Sequence, residues 1–494
     1  MSRYLLGVDI GTSGCRAALF AQDGRLAAQE TEAYGVSYPA PGWAEQRPDD
    51  WWEGVCRAVR RVAEAVPPED IAAVGVDGQS WAAVAVDGEG RVLAPTPIWT
   101  DTRAQDACEE MRSCMPEEEW FRVGMNPLQP GYTLPKILWY RRHRPEVYER
   151  ARWILQSNSF IVYRLTGRVT QDLSQGYGLQ CFSMRGGAWD PEAIRRLGLR
   201  PSLLPDILHC HAVAGAVTAA AAAQTGLLPG TPVVAGGLDA ACATLGVGVI
   251  DPGQTQEQGG QAGGMSVCMD ACAGDPRLIL GRHVVPDRYL LQGGTTGGGG
   301  ALKWLRQTVC PELSFEEMSD LARTVPPGSG GLLFLPYLAG ERSPIWNPDA
   351  KGVFFGLTYA HTRAHMIRAV MEGTAYALLH NLETARQAGA RVRVMRATGG
   401  SANSLVWTQI KSDVTDTVIE VPASDTATVL GAAILAGVGA GVYGSFEEAV
   451  AGTVAVRRVH RPDAAHRAVY ARGYQDYLQL YERLKPMMTG GNDI

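Results

Sequence analysis

The sequence predicts an α/β protein of two similar lobes facing a cleft, and three observations carry that prediction. The chain has 494 residues and a mass of 53.0 kDa, more than one hydrophobic core organises. An apolar run from Tyr4 to Val8 enters Asp9-Ile10-Gly11-Thr12-Ser13-Gly14 and leaves at once as a second run, Cys15 to Phe20. A looser copy follows, where Gln258-Gly259-Gly260-Gln261-Ala262-Gly263-Gly264 precedes Met265 to Met269 and Gly260 falls 249 residues after Gly11. A repeat at half the chain length marks two lobes rather than a solenoid, whose periods are far shorter. The division is expected at residues 1–247 and 248–494.

The first hairpin has the size and chemistry of a phosphate cradle. Its glycines allow close backbone approach, Thr12 and Ser13 add hydroxyls, and Asp9 adds a carboxylate. A carboxylate beside a phosphate calls for a divalent cation between the two anions. The turn is no P-loop, because it lacks Gly-Lys-Ser/Thr and leads into a strand. An ordinary tight hairpin with an N-terminal Asp fits the hexapeptide alone equally well.

Further along, Asp23-Gly24 and Asp87-Gly88 mark turns between apolar runs, and Pro48-Asp49-Asp50 opens a helix through Trp51 and Trp52 towards Ala65. Val74-Gly75-Val76-Asp77 reads as a buried strand; Leu134 to Arg142, Ser159 to Thr166 and Pro191 to Leu197 read as helical or mixed segments. The longest uncharged stretch, Ala212 to Leu238, has the length of a membrane span, but it is dominated by Ala and Gly and interrupted by Pro229 and Pro232. It is expected to form an Ala-rich helix, a turn at Leu228-Pro229-Gly230 and a buried strand over Pro232 to Leu238.

Asp239 follows that strand and begins the next helix. Ligands of α/β sheets gather at the carboxyl ends of strands, which makes Asp239 the candidate acid or base. Asp is also a preferred helix N-cap worth about 1 kcal/mol, so its position alone leaves both roles open. Two more glycine turns precede helices: Gly297 to Gly300 before Ala301-Leu302-Lys303, and Thr398-Gly399-Gly400-Ser401-Ala402-Asn403 after a strand at Val392 to Ala397. Helix openings of this kind are expected to offer free N–H groups to an anion. Four such turns across both lobes favour nucleotide binding over packing alone.

Composition narrows the class further. A net charge of −6 and a pI of about 5.9 give no nucleic-acid footprint. Ten scattered cysteines without Cys-x-x-Cys fit reduced thiols in the cytoplasm better than disulfides or a zinc site. The N-terminus enters the first strand directly, so no signal peptide is expected, and no membrane partner. A homodimer is kept as an expectation.

These residues resemble a known family. Asp9-Ile10-Gly11-Thr12-Ser13, Gly236-Gly237-Leu238-Asp239-Ala240 and Thr398-Gly399-Gly400-Ser401 look like the FGGY carbohydrate kinases. So do Gly42-Trp43-Ala44-Glu45-Gln46-Arg47-Pro48, Tyr132 to Trp139, Phe334 to Pro344 and Gly352 to Leu357, so the likeness runs nearly end to end. Trp51-Trp52, Trp99-Thr100-Asp101-Thr102-Arg103 and Glu341-Arg342 are similar to the xylulokinase branch.

The resemblance implies the two-domain actin-like, ribonuclease H-like fold and phosphorylation of a small ketose, D-xylulose or a relative. Another polyol, deoxyketose or sugar acid, or a non-catalytic sensor, is the alternative. It implies a sugar site at Gln79, Ser80, Trp81, Trp99, Asp101 and Asp239, with Asp239 as the base. It implies ATP held by Asp9, Gly11, Thr12, Ser13, Gly260, Gln261, Gly299, Gly300, Lys303, Gly399, Gly400 and Asn403, with Mg²⁺ near Asp9. Three departures stand out. Gly78-Gln79-Ser80-Trp81-Ala82 replaces the family's Gly-Gln-Met-His-Gly, whose Met and His contact sugar; Gly260-Gln261-Ala262-Gly263 lacks the usual hydroxyls; and Ala240 replaces a frequent Asn.

Overall fold

The computed structural model describes residues 3–488. Its first lobe is built on strands β1 (Tyr4–Ile10), β2 (Gly14–Ala21), β3 (Leu26–Ala33), β4 (Ile71–Gly78), β5 (Val213–Ala216), β6 (Pro232–Val234) and β7 (Gly237–Leu238). They form a seven-stranded sheet in the order β5-β6-β4-β1-β2-β3, with β7 pairing β4. The second lobe has β8 (Gln254–Gly259), β9 (Gly263–Met269), β10 (Ile279–Arg282), β11 (Tyr289–Thr295), β12 (Val394–Thr398), β13 (Val418–Pro422) and β14 (Val456–His460) in the order β10-β11-β9-β8-β12-β13-β14.

The two sheets repeat one plan. Each glycine hairpin joins an antiparallel pair, β1 with β2 and β8 with β9, and the first strand of each pair runs parallel to a later strand, β4 or β12. The next strand, β6 or β13, is again parallel, and an antiparallel strand closes the edge. The repeat 249 residues apart in the sequence is therefore a repeat of topology.

Amphipathic helices cover the sheets. Helix α1 (Pro48–Ala63) places Trp51, Trp52, Val55, Val59 and Val62 on β2 and β3. Full burial of one such large side chain stabilises by about 1.5–3 kcal/mol. Helices α2 (Thr133–His143) and α3 (Ser157–Thr166) continue the first lobe, and α4 (Asp239–Gly246) follows β7. In the second lobe come α5 (Gly299–Val309), α6 (Phe315–Arg323), the 25-residue α7 (Arg363–Gln387) against β9 and β11, α8 (Leu405–Thr415) and α9 (Ala427–Gly439). No helix among the described residues is long and apolar enough to cross a membrane.

Two features go beyond the sequence reading. The strand expected over Pro232 to Leu238 breaks at Ala235-Gly236, where Gly236 takes φ +78° and leaves no room for a Cβ beside Val76 O. This kink returns the chain to the end of β4, with Gly237 opposite Asp77 and Leu238 opposite Gly78. Helix α9 belongs to the second half of the chain, yet it lies on β1 and β4 of the first sheet and against α4. A Cβ on Gly7 or Gly75 would strike the carbonyls of Val429 or Ala432, so these glycines admit the α9 backbone onto the sheet.

Candidate active site

The carboxyl ends of β1, β4 and β7 bring three acids together. Asp9 and Asp77 are register partners on adjacent parallel strands, and Gly237 pairs Asp77 on the other side, two residues before Asp239. Arg16 stands opposite Asp9 on β2. Asp77 is fully buried, and neither carboxyl oxygen has a hydrogen-bond donor. Burial raises its pKa well above the usual range, and the charge of Asp9, a side-chain hydrogen bond shared with Asp9 and the charge of Asp239 add to the shift. Asp9 is also raised by burial, with Asp77 and Arg16 opposing.

Asp239 is the first residue of α4, and its Oδ1 accepts the N–H of Ala240 at 2.6 Å. Leu238 occupies the cap position without a side-chain bond, so the carboxylate does not serve as the helix cap. Burial, followed by the charge of Asp9, raises its pKa to about 7. A half-buried carboxylate of that basicity accepts a proton near neutral pH.

The first glycine turn is wired to the sugar-side residues. Gly11 N–H closes the hairpin on Gly14 O at 3.1 Å. Trp99 Nε1 donates to Thr12 Oγ1 at 2.9 Å, and Thr12 Oγ1 makes a long bond of 3.4 Å to Gln79 Oε1. Gln79 Nε2 donates to Gln46 Oε1 at 2.8 Å, while Gln46 Nε2 donates back to Thr12 O at 2.7 Å. Ser13 is exposed at the tip. Gln79 is 1% exposed, so it braces the turn and does not face a ligand in this conformation. Asp101 is likewise sealed: its carboxylate accepts the N–H of Ala44 at 2.7 Å and the guanidinium of Arg103, which also pairs Glu45 at 2.6 Å. Both side chains are held within the lobe, Gln79 by Gln46 and Thr12 and Asp101 by Ala44 and Arg103.

Ser80 and Trp81 lie against Tyr177, whose hydroxyl also feels the charge of Asp239. Trp81 sits at φ +59°, a left-handed conformation rare for a bulky residue. Lys136 on α2 holds it there, donating from Nζ to Trp81 O at 2.9 Å and to Ile98 O at 2.7 Å. Lys136 is completely buried, and burial lowers its pKa to about 7. The Trp81 ring lies 4.6 Å from Tyr132 and 5.7 Å from Tyr177, centroid to centroid.

The second lobe holds a cavity of about 630 Å³. Gly260, Gln261, Gly299, Lys303, Gly400 and Asn403 are among its lining residues, together with Leu302, Phe315, Ser319, Arg323 and Leu405 and the acids Glu316 and Asp320. Asn403 Oδ1 accepts from Arg457 at 2.7 Å. Gly399 lines a neighbouring cavity and adopts φ +82°, where a Cβ would come 2.7 Å from Gly259 O. The expectation of free amides at the opening of α5 is corrected: Gly299 N–H donates to Gly260 O at 2.7 Å, and Gly300 N–H donates to Gln261 O at 2.9 Å. The helix therefore buttresses the hairpin, and its first amides are spent on protein carbonyls. Beneath the hairpin, Lys411 Nζ bridges Glu257 Oε1 at 2.5 Å and Ser401 Oγ at 2.7 Å in a buried ion pair.

Several site residues escaped the sequence reading. Asp77 carried a signal, a lone acid in the apolar run of β4. Tyr132 opened a family-like run but without an assigned role, and Tyr177 and the α6 wall carried no signal, since only the fold brings them to the site.

Models of the FGGY family of carbohydrate kinases match this chain, the N-terminal domain over residues 4–246 and the C-terminal domain over residues 278–440. The chain is 30% identical to the xylulose kinase of Escherichia coli (strain K12) over 487 residues, 98% of this chain and 100% of that protein. It is 31% identical to the gluconokinase of Bacillus subtilis (strain 168) over 463 residues, 90% of each. The crystal structure of xylulose kinase from Rhodospirillum rubrum superposes with a TM-score of 0.91 at 31% identity, over 98% of this chain and 100% of that one. With both domain models matched in order and relatives aligned almost end to end, the chain belongs to the FGGY family of carbohydrate kinases, phosphotransferases acting on a sugar hydroxyl.

Proposed function

We propose that this kinase transfers the γ-phosphate of ATP to a hydroxyl of a small neutral ketose, with D-xylulose the first candidate. The observation that carries the reading is Asp239, a half-buried carboxylate at the sheet's carboxyl edge with a pKa of about 7. It removes the proton of the acceptor hydroxyl as that oxygen bonds to the γ-phosphorus. The bond from phosphorus to the β,γ-bridging oxygen breaks, and ADP leaves. A positioned base contributes about 10²- to 10⁴-fold, and the rest comes from orientation and charge neutralisation.

The nucleotide is assigned to the cavity between the second hairpin and α6, with the sugar in residues 1–247 and the adenine in residues 248–494. Asp9 and Asp77 fit Mg²⁺: the buried oxygens of Asp77 lack donors, and two carboxylates with phosphate oxygens suit this ion. No group of three or more His, Cys, Asp or Glu side chains among the described residues is arranged to hold a metal, so the phosphates would supply the remaining ligands. When bound, the ion neutralises polyphosphate charge.

A neutral acceptor is supported by two cations of the first lobe, Arg103 and Lys136, being already engaged within the protein. Arg103 is committed to Asp101 and Glu45, and Lys136 to backbone carbonyls. Neither is available to a sugar carboxylate, which favours a ketose over gluconate. A coupled assay of ADP release across D-xylulose, other ketopentoses and gluconate tests the reading. Release that depends on a neutral ketose is expected; release that ignores sugar, or that requires gluconate, refutes it.

A further inference from the structure

A buried polar network reaches the two backbone segments that carry Asp77 and Asp239. It starts at the end of a short strand, Thr170–Asp172, which pairs with Asp206–Leu208. Asp172 is buried, and Asn158, Ser174 and Gln175 are sealed from solvent completely. Asp172 Oδ1 accepts the hydroxyl of Ser174 at 2.5 Å and the N–H groups of Ser174 and Gln175 at 2.9 and 3.0 Å. Its Oδ2 accepts from Asn158 Nδ2 at 2.9 Å. Two arms lead from this carboxylate to the site. Ser174 Oγ accepts the N–H of Leu238, the residue before Asp239, at 2.8 Å. Gln175 Nε2 donates to Gly78 O at 3.2 Å and Ser157 Oγ to Gln79 O at 2.8 Å, just past Asp77.

The arm to Leu238 has the greater bearing on chemistry. The strand leading to Asp239 is broken at Ala235-Gly236, so β7 is only two residues long, and the start of α4 has no side-chain cap. The N–H of Leu238 is instead anchored on Ser174. A serine oxygen that accepts from the backbone sends its own proton elsewhere; Asp172 takes that proton and so aims the lone pair at Leu238. A buried carboxylate is costly unless donors surround it, and Asp172 is saturated with them. Gly237 leaves the serine room, because a Cβ there would stand 3.1 Å from Ser174 Oγ. Removing the hydroxyl leaves a buried N–H unpaired one residue from the base, and a displacement of about 1 Å in a reacting group costs about 10²-fold in rate.

We propose that Ser174 and Asp172 are positioning residues for Asp239: Asp172 orients the Ser174 hydroxyl, and Ser174 fixes Leu238 at the start of α4. The proposal rests on Asp239 being the base, as read above. The test compares the parent with Ser174→Ala and Asp172→Asn, and with Val59→Ala on α1 as a control for lost core packing. In both network variants kcat is expected to fall at least tenfold with KM for ATP within twofold. Hydrogen exchange by mass spectrometry is expected to quicken over Gly236 to Thr244 and not over β2. Asp172→Asn sets two amide donors against each other, and adding Asn158→Asp restores the acceptor, so the pair should recover both kcat and slow exchange. Val59→Ala should lower the melting temperature and keep kcat within twofold. Unchanged kcat and exchange in Ser174→Ala overturn the proposal, and so does a kcat loss that Val59→Ala shares at equal loss of melting temperature. Should Ser174→Ala fail to fold, Asp172→Asn with and without Asn158→Asp decides alone. If Asp239→Asn keeps its activity, the base reading falls by itself. Exchange then decides the network: quickening over Gly236 to Thr244 that Asn158→Asp reverses supports it, and parent-like exchange overturns it.

Discussion

Replacing Asp239 by Asn is expected to have opposite effects on catalysis and on stability. Asn keeps the shape and can still accept the Ala240 N–H, but it cannot take a proton from the acceptor hydroxyl. A base contributes about 10²- to 10⁴-fold, so kcat falls by that factor, or about 3–5 kcal/mol of barrier. For stability, the carboxyl is raised from 3.8 to about 7 by burial and by Asp9. The folded protein therefore holds a proton that the unfolded chain releases, and stability falls as pH rises from about 4 to about 7, with the full penalty above that. A shift of this size is worth about 2–4 kcal/mol after allowing for solvent at the half-exposed group. Asp239→Asn removes the penalty, so at pH 8 the variant melts higher than the parent while turning over far more slowly. The parent's kcat/KM climbs about tenfold per pH unit below 7 and levels above it, and the variant loses that limb. Thermal melts at pH 5 and pH 8, alongside a pH–rate profile, measure both effects. Activity within a few fold of the parent, or an unchanged acid limb, refutes the assignment of the base.

Two further substitutions probe the site on either side of the cleft. Asp77→Asn removes a buried carboxylate that has no donor, so the variant should gain stability at pH 8 by calorimetry and require more Mg²⁺ for half-maximal rate; an unchanged Mg²⁺ requirement removes Asp77 from the ion's surroundings. Lys411→Met leaves Glu257 buried and unpaired, which costs about 3–5 kcal/mol in chemical denaturation, whereas Glu257→Leu with Lys411→Met restores most of it. Because this pair underlies the second hairpin, the single variant should raise KM for ATP and leave KM for the sugar unchanged.

What was legible in the sequence was local. The hairpins at Gly11 and Gly260, the helix at Trp51 and the placement of Asp239 follow from turn residues and short apolar runs, whose conformations are set by neighbours in sequence. The free helix amides expected at Gly299 and Gly300 failed because a glycine-rich helix start looks the same whether it docks on an anion or on a carbonyl from another strand. Gln79 and Asp101 matched a family pattern, yet their polar atoms are spent on Gln46, Ala44 and Arg103, partners that only tertiary structure reveals. Asp77 was visible as an acid in an apolar strand, but its meaning depended on the register that sets it beside Asp9. Tyr177 and Phe315 arrive from segments without a distinguishing pattern.

The seating of α9 on β1 and β4 fixes the order in which this chain can fold. A nascent chain that has emerged only to residue 247 has the grooves over Gly7 and Gly75 uncovered and the α4 face open to water. That surface stays exposed until Ala427 to Gly439 leaves the ribosome and lies down on it. The lobe synthesised first is therefore completed nearly last, because part of the cover of its sheet comes from the C-terminal half of the chain. The same reason bars expression of the lobes as independent fragments: the first would lack a helix of its core, and the second would carry that helix bare.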